Sequence, residues 1–359
     1  MMAQAQSGTG KTAAFLLAAL ARVRPQDNWP QVMVILPTLE LAKQIASECS
    51  RMLVHSPDVR IRHAVRGQCL IRHQTITEHL LIGTPGKLLD WALRLQLFDM
   101  KKVRVFVLDE ADVMLDECGH GDAVIKLHCQ LDLAACQMLL FSVTFSDEVV
   151  QLANVIINPP LVRLTLRRDQ LALGNIHHFR METRTERDKL EAISNLYESL
   201  SIGQCIVFCR TRADANRVSA LMRDLGQNVA QLHGELDPEQ RLATIEGFRH
   251  GQQKVMVTTN VCARGIDIIQ VSLVINFDLP LARDMSIDLE TYYHRVGRAG
   301  RFGRPGTAVN LVNPDRTYET RALDQVAHEL QINIQLVDFR IHEQIVELMQ
   351  FTEADQAEK

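Results

Sequence analysis

The sequence predicts an α/β protein of two lobes, each a mainly parallel sheet flanked by helices. Three observations carry this. Short apolar, β-branched runs alternate with helical stretches along the chain, the pattern of parallel sheets. Most runs end in a polar or glycine-containing string. A Pro159-Pro160 pair and the charged stretch after it then divide the runs into two sets.

In the first set, strands are expected at 32–36, 80–82, 103–108 and 137–141, followed by Pro37-Thr38, Gly83-Thr84-Pro85-Gly86, Asp109-Glu110 and Ser142-Val143-Thr144. In the second they are expected at 206–208, 229–232, 255–257, 273–276 and 308–312, with His233-Gly234, Thr258-Thr259-Asn260 and Phe277-Asp278 among the strings that follow. Ligands of open α/β sheets bind at the carboxyl ends of strands, so these strings are the candidate functional groups. The lobes are expected at 1–166 and 176–359, joined by a polar linker over 167–175. Ile341, Ile345 and Leu348 recur at helical spacing and should pack the tail on the second lobe.

Composition narrows the class. With 359 residues, 47% hydrophobic and 23% charged, the chain should form two soluble domains of ordinary size, each with its own core. No apolar stretch is long enough to span a membrane, and no secretory signal is visible, so an intracellular protein is expected. The 8 cysteines show no metal-ligand spacing, and buried free thiols are expected. A formal net charge of −4 argues against holding nucleic acid by bulk electrostatics, so any polyanion site must be local.

Ser7-Gly8-Thr9-Gly10-Lys11-Thr12 reads as a phosphate-cradling loop. Glycines let successive N–H groups point at phosphate oxygens, and the apolar run from Thr12 to Ala21 supplies a buried helix whose positive end faces the same way. Lys11 can reach the outer phosphates and the Thr12 hydroxyl can ligate Mg²⁺. Ala5 stands where the usual loop pattern has its first glycine. Asp109-Glu110-Ala111-Asp112 follows an apolar strand, where one acid can hold a metal and its neighbour can orient an attacking water. Taken singly, the first string also suits any glycine-rich turn before a helix, and the second a solvated helix start.

In their order and spacing these strings resemble the DEAD-box family of ATP-dependent RNA helicases over essentially the whole chain. The match takes in Ala5 to Thr12, Pro37 to Ala42, Thr84 to Gly86, Asp109 to Asp112, Ser142 to Thr144, Thr259 to Asp267 and His294 to Arg301. The resemblance implies two tandem RecA-like P-loop domains and an ATPase stimulated by RNA, with ATP and Mg²⁺ as cofactors. It implies that Gly8, Thr9, Gly10, Lys11 and Thr12 hold the phosphates, that Thr12 and Asp109 hold Mg²⁺, and that Glu110 polarises the hydrolytic water. Arg298 and Arg301 resemble arginine fingers that reach the γ-phosphate when the lobes close, and Gly265 with Asp267 would meet ribose and phosphates. Asp112, Ser142, Thr144 and His294 would couple nucleotide to closure. RNA would be met at Pro37, Thr38, Arg66, Gly67, Thr84, Pro85, Gly86, Gly234, Gln240, Arg241 and Thr259, through backbone and 2′-OH contacts without sequence preference.

A narrower resemblance rests on Val105 to Met114, Cys136 to Ser142, Val274 to Pro280 and the long segment from Leu281 to Glu290. These are similar to the subfamily that works in mRNA export at the nuclear pore. Single-stranded RNA, a nucleoporin and an inositol-phosphate-dependent activator are then the implied partners of a monomer. The implied location is cytoplasm and nucleus, at the cytoplasmic face of the pore.

Three departures are visible. The family's adenine-reading glutamine segment lies upstream of its P-loop, whereas Met1 here is close to that loop, so that segment and most of the first strand are expected to be missing. Val143 replaces the family's alanine, adding two methyl groups at a tight place. Leu39 stands where many members carry arginine. A non-catalytic RNA clamp and a DNA-translocating helicase are the competing readings.

Overall fold

The computed structural model describes the chain except residues 6–8, 69, 73, 116–119, 146, 167–173, 201, 260–270, 301–303 and 349–359. It divides into two compact units, Met1–Leu166 and Arg167–Lys359. Among the described residues no helix is long and apolar enough to cross a membrane.

The first unit holds seven strands: β1 (Met2–Gln4), β2 (Val32–Ile35), β3 (Ile61–Ala64), β4 (Leu80–Gly83), β5 (Val105–Leu108), β6 (Gln137–Ser142) and β7 (Arg163–Leu164). They form one sheet in the order β3-β4-β2-β5-β6-β1-β7, every pair parallel. Strand alternation serves two cores at once. Val32, Val34, Val105 and Val107 face one apolar cluster, while Met33, Ile35, Phe106 and Leu108 face the other. Such double-sided burial explains why the internal strands read as continuous apolar runs.

The second unit repeats the plan with β8 (Ile176–Glu182), β9 (Gln204–Phe208), β10 (Val229–Leu232), β11 (Val255–Thr258), β12 (Val271–Asn276), β13 (Gly306–Val312) and β14 (Ile334–Leu336). Its order is β10-β11-β9-β12-β13-β8-β14, again parallel throughout. Counting strands from the start of each unit, the two permutations are identical. Cys205, Val207 and Cys209 face one core of this sheet, and Ile206 and Phe208 the other. Ile345 and Leu348 of the tail join the first of these cores, while Ile341 stays 39% exposed.

All nine expected strands are present. Those that the apolar pattern did not reveal are short or polar. Met2–Gln4 is three residues long, so the first strand is short and still has neighbours on both sides. Ile61–Ala64, Arg163–Leu164 and Ile334–Leu336 lie at sheet edges, where one flank is unpaired and the sequence need not be apolar, and Ile176–Glu182, paired on both flanks, is interrupted by His177, His178 and Arg180.

Buried His178 on β8 carries a testable consequence. Burial, aided by the neighbouring charge of His177, pushes its imidazole from 6.5 down to about 4. Between those values the folded chain binds fewer protons than the unfolded one, so stability is full above pH 6.5 and falls as pH drops through 4. The expected loss is about 3 kcal/mol. Melting curves of wild type and His178→Gln between pH 7 and 4 check this, the variant losing much less on acidification.

Candidate nucleotide and RNA site

Because every strand of a unit runs the same way, all strand ends gather on one edge of the sheet. In the first unit, β1 feeds the glycine loop and then the helix Lys11–Leu20. Gly10 is the residue before that helix, with a φ of 97° that a side chain would strain. No side chain caps this helix and no acid lies in its first turn, which leaves its positive end available to an anion. By contrast the next helix, Leu39–Met52, is capped by Thr38, whose hydroxyl accepts from the Leu41 N–H at 3.3 Å. Lys11 is 9% exposed at its side chain, and its ammonium has no hydrogen bond among the described residues. Its nearest acid is Glu110, 4.0 Å away. Thr9 is exposed and Thr12 half-buried on the same helix start. A cavity of about 260 Å³ opens beside them, lined in part by Ala3, Gln4, Thr9, Lys11 and Phe15.

Two strands away, β5 ends in the acid string. Asp109 and Glu110 are 3% and 7% exposed. Burial, then the Glu110 charge, pushes the Asp109 carboxyl up to about 7, against the pull of Lys11 and of the Glu110 N–H that donates to it at 3.0 Å. Glu110 itself has a φ of 53°. A left-handed glutamate costs roughly 1 kcal/mol, and here it turns the chain sharply from strand into the helix Ala111–Leu115. Asp112 then accepts from the Thr144 hydroxyl at 2.8 Å, tying the acid string to the end of β6. Ser142 is fully buried beside it, with a hydroxyl that has no partner among the described residues, and Val143 is 1% exposed.

The other half of the same edge carries a different set. Pro37 and Thr38 follow β2, Arg66 and Gly67 follow β3, and Thr84, Pro85 and Gly86 follow β4. These are three contiguous strands of the sheet, β3-β4-β2. Thr84 opens the helix Pro85–Leu89 without a side-chain cap, and Arg66, Gly67 and Gly86 are exposed. Gly83 is required here, since a Cβ would fall on the carbonyl oxygen of Ala64. That carbonyl accepts the Thr84 N–H at 3.1 Å, so the close approach sets the turn. Leu39, where arginine is usual, packs on the apolar core instead.

In the second unit, Gly234, Gln240 and Arg241 follow β10 and Thr259 follows β11, again adjacent strands. Gln240 also has a structural duty: it completes a capping box with Asp237 at the start of the helix Pro238–Arg249. Arg241 donates to the Leu236 carbonyl at 3.3 Å. His294 closes the helix Leu289–Val296, and Arg298 follows it, its Nε donating to the His294 carbonyl at 2.9 Å. Gly8, Gly265, Asp267 and Arg301 lie outside the described residues.

The repeated strand order allows a direct comparison of the two sheet edges. Where the first unit has the uncapped helix Lys11–Leu20, the second has Thr185 and Asp188 closing a capping box on the helix Glu186–Ser199. Where the first has Lys11 4.0 Å from Glu110, the second has Lys189 donating to Asp278 at 2.9 Å and to the Phe277 carbonyl at 2.6 Å. The second unit has filled the equivalent place with its own side chains.

Sequence reasoning missed Gln4. Its amide donates to the Val143 carbonyl at 3.0 Å and accepts the Leu166 N–H at 3.1 Å, so it holds the end of β6. A lone glutamine before a glycine loop gives no sequence signal of this. As a donor set for a metal, the buried Asp109 carboxylate fits a hard divalent cation, since its raised pKa marks a charge that the protein alone does not balance.

Two sheets of identical strand order, one with an uncapped helix start whose Lys11 lies 4.0 Å from buried Glu110, define tandem RecA-like units of the helicase class. Residues 1–152 match the DEAD/DEAH box helicase family and residues 188–303 match the helicase conserved C-terminal domain. The chain is 46% identical over 338 residues to the human ATP-dependent RNA helicase DDX19A, covering 94% of this chain and 70% of that protein. S. cerevisiae Dbp5 bound to RNA and ADP BeF3 superposes with a TM-score of 0.86 at 37% identity, covering 96% of this chain and 89% of that one. A Dbp5 variant bound to Nup159, a variant Gle1, IP6 and ADP matches with a TM-score of 0.70 at 35% identity, covering 99% and 90%. The chain belongs to the DEAD-box family of ATP-dependent RNA helicases.

Proposed function

We propose that the chain hydrolyses ATP in response to single-stranded RNA and uses the cycle to clamp RNA, open short duplexes or remodel ribonucleoproteins in mRNA export. The observation that carries this is the division of the first sheet edge: Lys11, Asp109 and Glu110 stand at the ends of β1 and β5, and the RNA set stands at the ends of β3, β4 and β2. One rigid sheet thereby links a triphosphate site to a phosphate-backbone site.

In this reading the open helix end, Gly8, Thr9, Gly10 and Lys11 bind the phosphates, and Lys11 neutralises the outer ones. Thr12 and Asp109 would hold Mg²⁺, which when bound draws charge from the phosphate oxygens. Glu110, re-aimed by its left-handed backbone, orients the attacking water. Gly265 and Asp267 contact ribose and phosphate, and Arg298 with Arg301 stabilises charge on the terminal phosphate. Asp112 and Thr144, already hydrogen-bonded, relay the nucleotide state with Ser142 and His294. Thr84, Pro85 and Gly86 offer a helix start to the RNA backbone, with Pro37, Thr38, Arg66, Gly67, Gly234, Gln240, Arg241 and Thr259 along the same strand. The yeast complexes support a nucleoporin and an inositol-phosphate-dependent activator as partners, and action at the cytoplasmic face of the nuclear pore.

ATP turnover measured alone, with poly(A) RNA and with duplex DNA tests this. Stimulation by RNA is expected; stimulation by duplex DNA alone would favour a DNA translocase, and RNA binding without turnover would favour a passive clamp. The self-filled place in the second unit gives a further expectation. Equilibrium dialysis with ATP should find one nucleotide per chain, and two would refute the equivalence drawn between Lys189 and Lys11.

A further inference from the structure

Behind Arg298 runs a chain of buried polar groups that crosses the second sheet. Arg295 is 1% exposed, with its guanidinium stacked 5.0 Å from the Phe208 ring. A guanidinium can only donate, and its Nη1 does so to the Asn276 side-chain oxygen at 2.9 Å and to the Asp278 carbonyl at 2.7 Å. This fixes every later orientation. Asn276 must turn its amide toward Asn310, whose oxygen accepts at 2.9 Å. Asn310 then spends its two N–H groups on the Phe179 carbonyl at 3.0 Å and the Tyr292 hydroxyl at 3.2 Å. Tyr292 has its own proton left for His178 Nδ1, 3.1 Å away, which agrees with an imidazole kept neutral by burial. Asn276, Asn310 and Tyr292 are each 0% exposed.

Both helix members of this relay, Tyr292 and Arg295, lie three residues apart on the buried face of Leu289–Val296. Arg298 is three residues further on, and its backbone N–H donates to the Arg295 carbonyl at 3.1 Å. The strands β12, β13 and β8 thus grip the helix at two points, and the helix end grips Arg298. Apolar packing alone would tolerate a small rotation of this helix; a directional relay does not. We propose that Asn276, Asn310 and Tyr292 are positioning residues for Arg298, setting the rotation of its helix on the sheet so that the guanidinium meets the terminal phosphate in register. This rests on the reading of Arg298 given above.

The test is a double-mutant cycle in the full chain. Single-turnover ATP cleavage with saturating poly(A) RNA is measured for Tyr292→Phe and Asn310→Leu, each alone and combined with Arg298→Ala. Tyr292→Phe is expected to slow cleavage about fivefold and Asn310→Leu about twentyfold, the KM for ATP and the RNA Kd changing by less than about twofold. In the Arg298→Ala background neither should slow it further. Equal losses in both backgrounds, losses confined to KM, or a wild-type rate in folded Tyr292→Phe would overturn the proposal. If Asn310→Leu does not melt cooperatively, Tyr292→Phe decides alone. Should Arg298→Ala itself turn over normally, the arginine reading falls and the positioning role with it; a large Arg298 effect with additive partners sinks only the positioning role.

Discussion

Arg298→Ala is expected to lower RNA-stimulated ATP turnover by about three orders of magnitude, with ATP affinity nearly unchanged. A guanidinium aimed at the terminal phosphate is worth most when charge has spread over the transferring oxygens, and little in the ground state, so the loss should appear in kcat. Arg298 is held by two carbonyls of the helix before it, those of His294 and Arg295. Arg298→Lys should recover only a small part, because a point charge cannot reproduce the planar fork. Steady-state kinetics with poly(A) RNA check this, and a tenfold or smaller loss for the alanine variant would remove Arg298 from the reaction.

Glu110→Gln comes next, with an expected loss in kcat of about a hundredfold or more. The amide keeps the size of the side chain and the left-handed turn, so Asp109 and Asp112 stay in place. What is lost is the anionic acceptor proposed to orient water. The variant should therefore bind ATP and RNA as wild type and accumulate the uncleaved complex, read by filter binding of labelled RNA with ATP. Wild-type turnover would assign the water to another residue. The Glu110 charge also raises the Asp109 pKa, so this variant should bind the divalent cation less steeply with pH between 6 and 8.

Much of this was legible in the chain because the chemistry is local. A glycine loop, its lysine and the acid string are each a few consecutive residues, and burial on both faces writes the internal strands as apolar runs such as Val105–Leu108. The strands that escaped notice are short (Met2–Gln4), paired on one side (the edge strands) or interrupted by polar residues (Ile176–Glu182), and so carry little pattern. Gln240 stands three residues after Asp237 with Pro238 between them, the spacing of a capping box, so this partnership, which sequence reasoning missed, was within reach of a local pattern.

The sequence by itself determined the class of fold and the family, and it supplied the candidate reacting groups, since each follows from residue type and short spacing. Only the tertiary structure decided what long-range pairing controls: that the two sheets share one strand order, that Lys189 and Asp278 close in the second unit the place left open in the first, and that Asn276 and Asn310, 34 residues apart, form one relay with Tyr292 and Arg295. The physical reason is that a parallel ladder brings together side chains whose separation along the chain is set by intervening helices, and no local pattern encodes which strand will lie beside which.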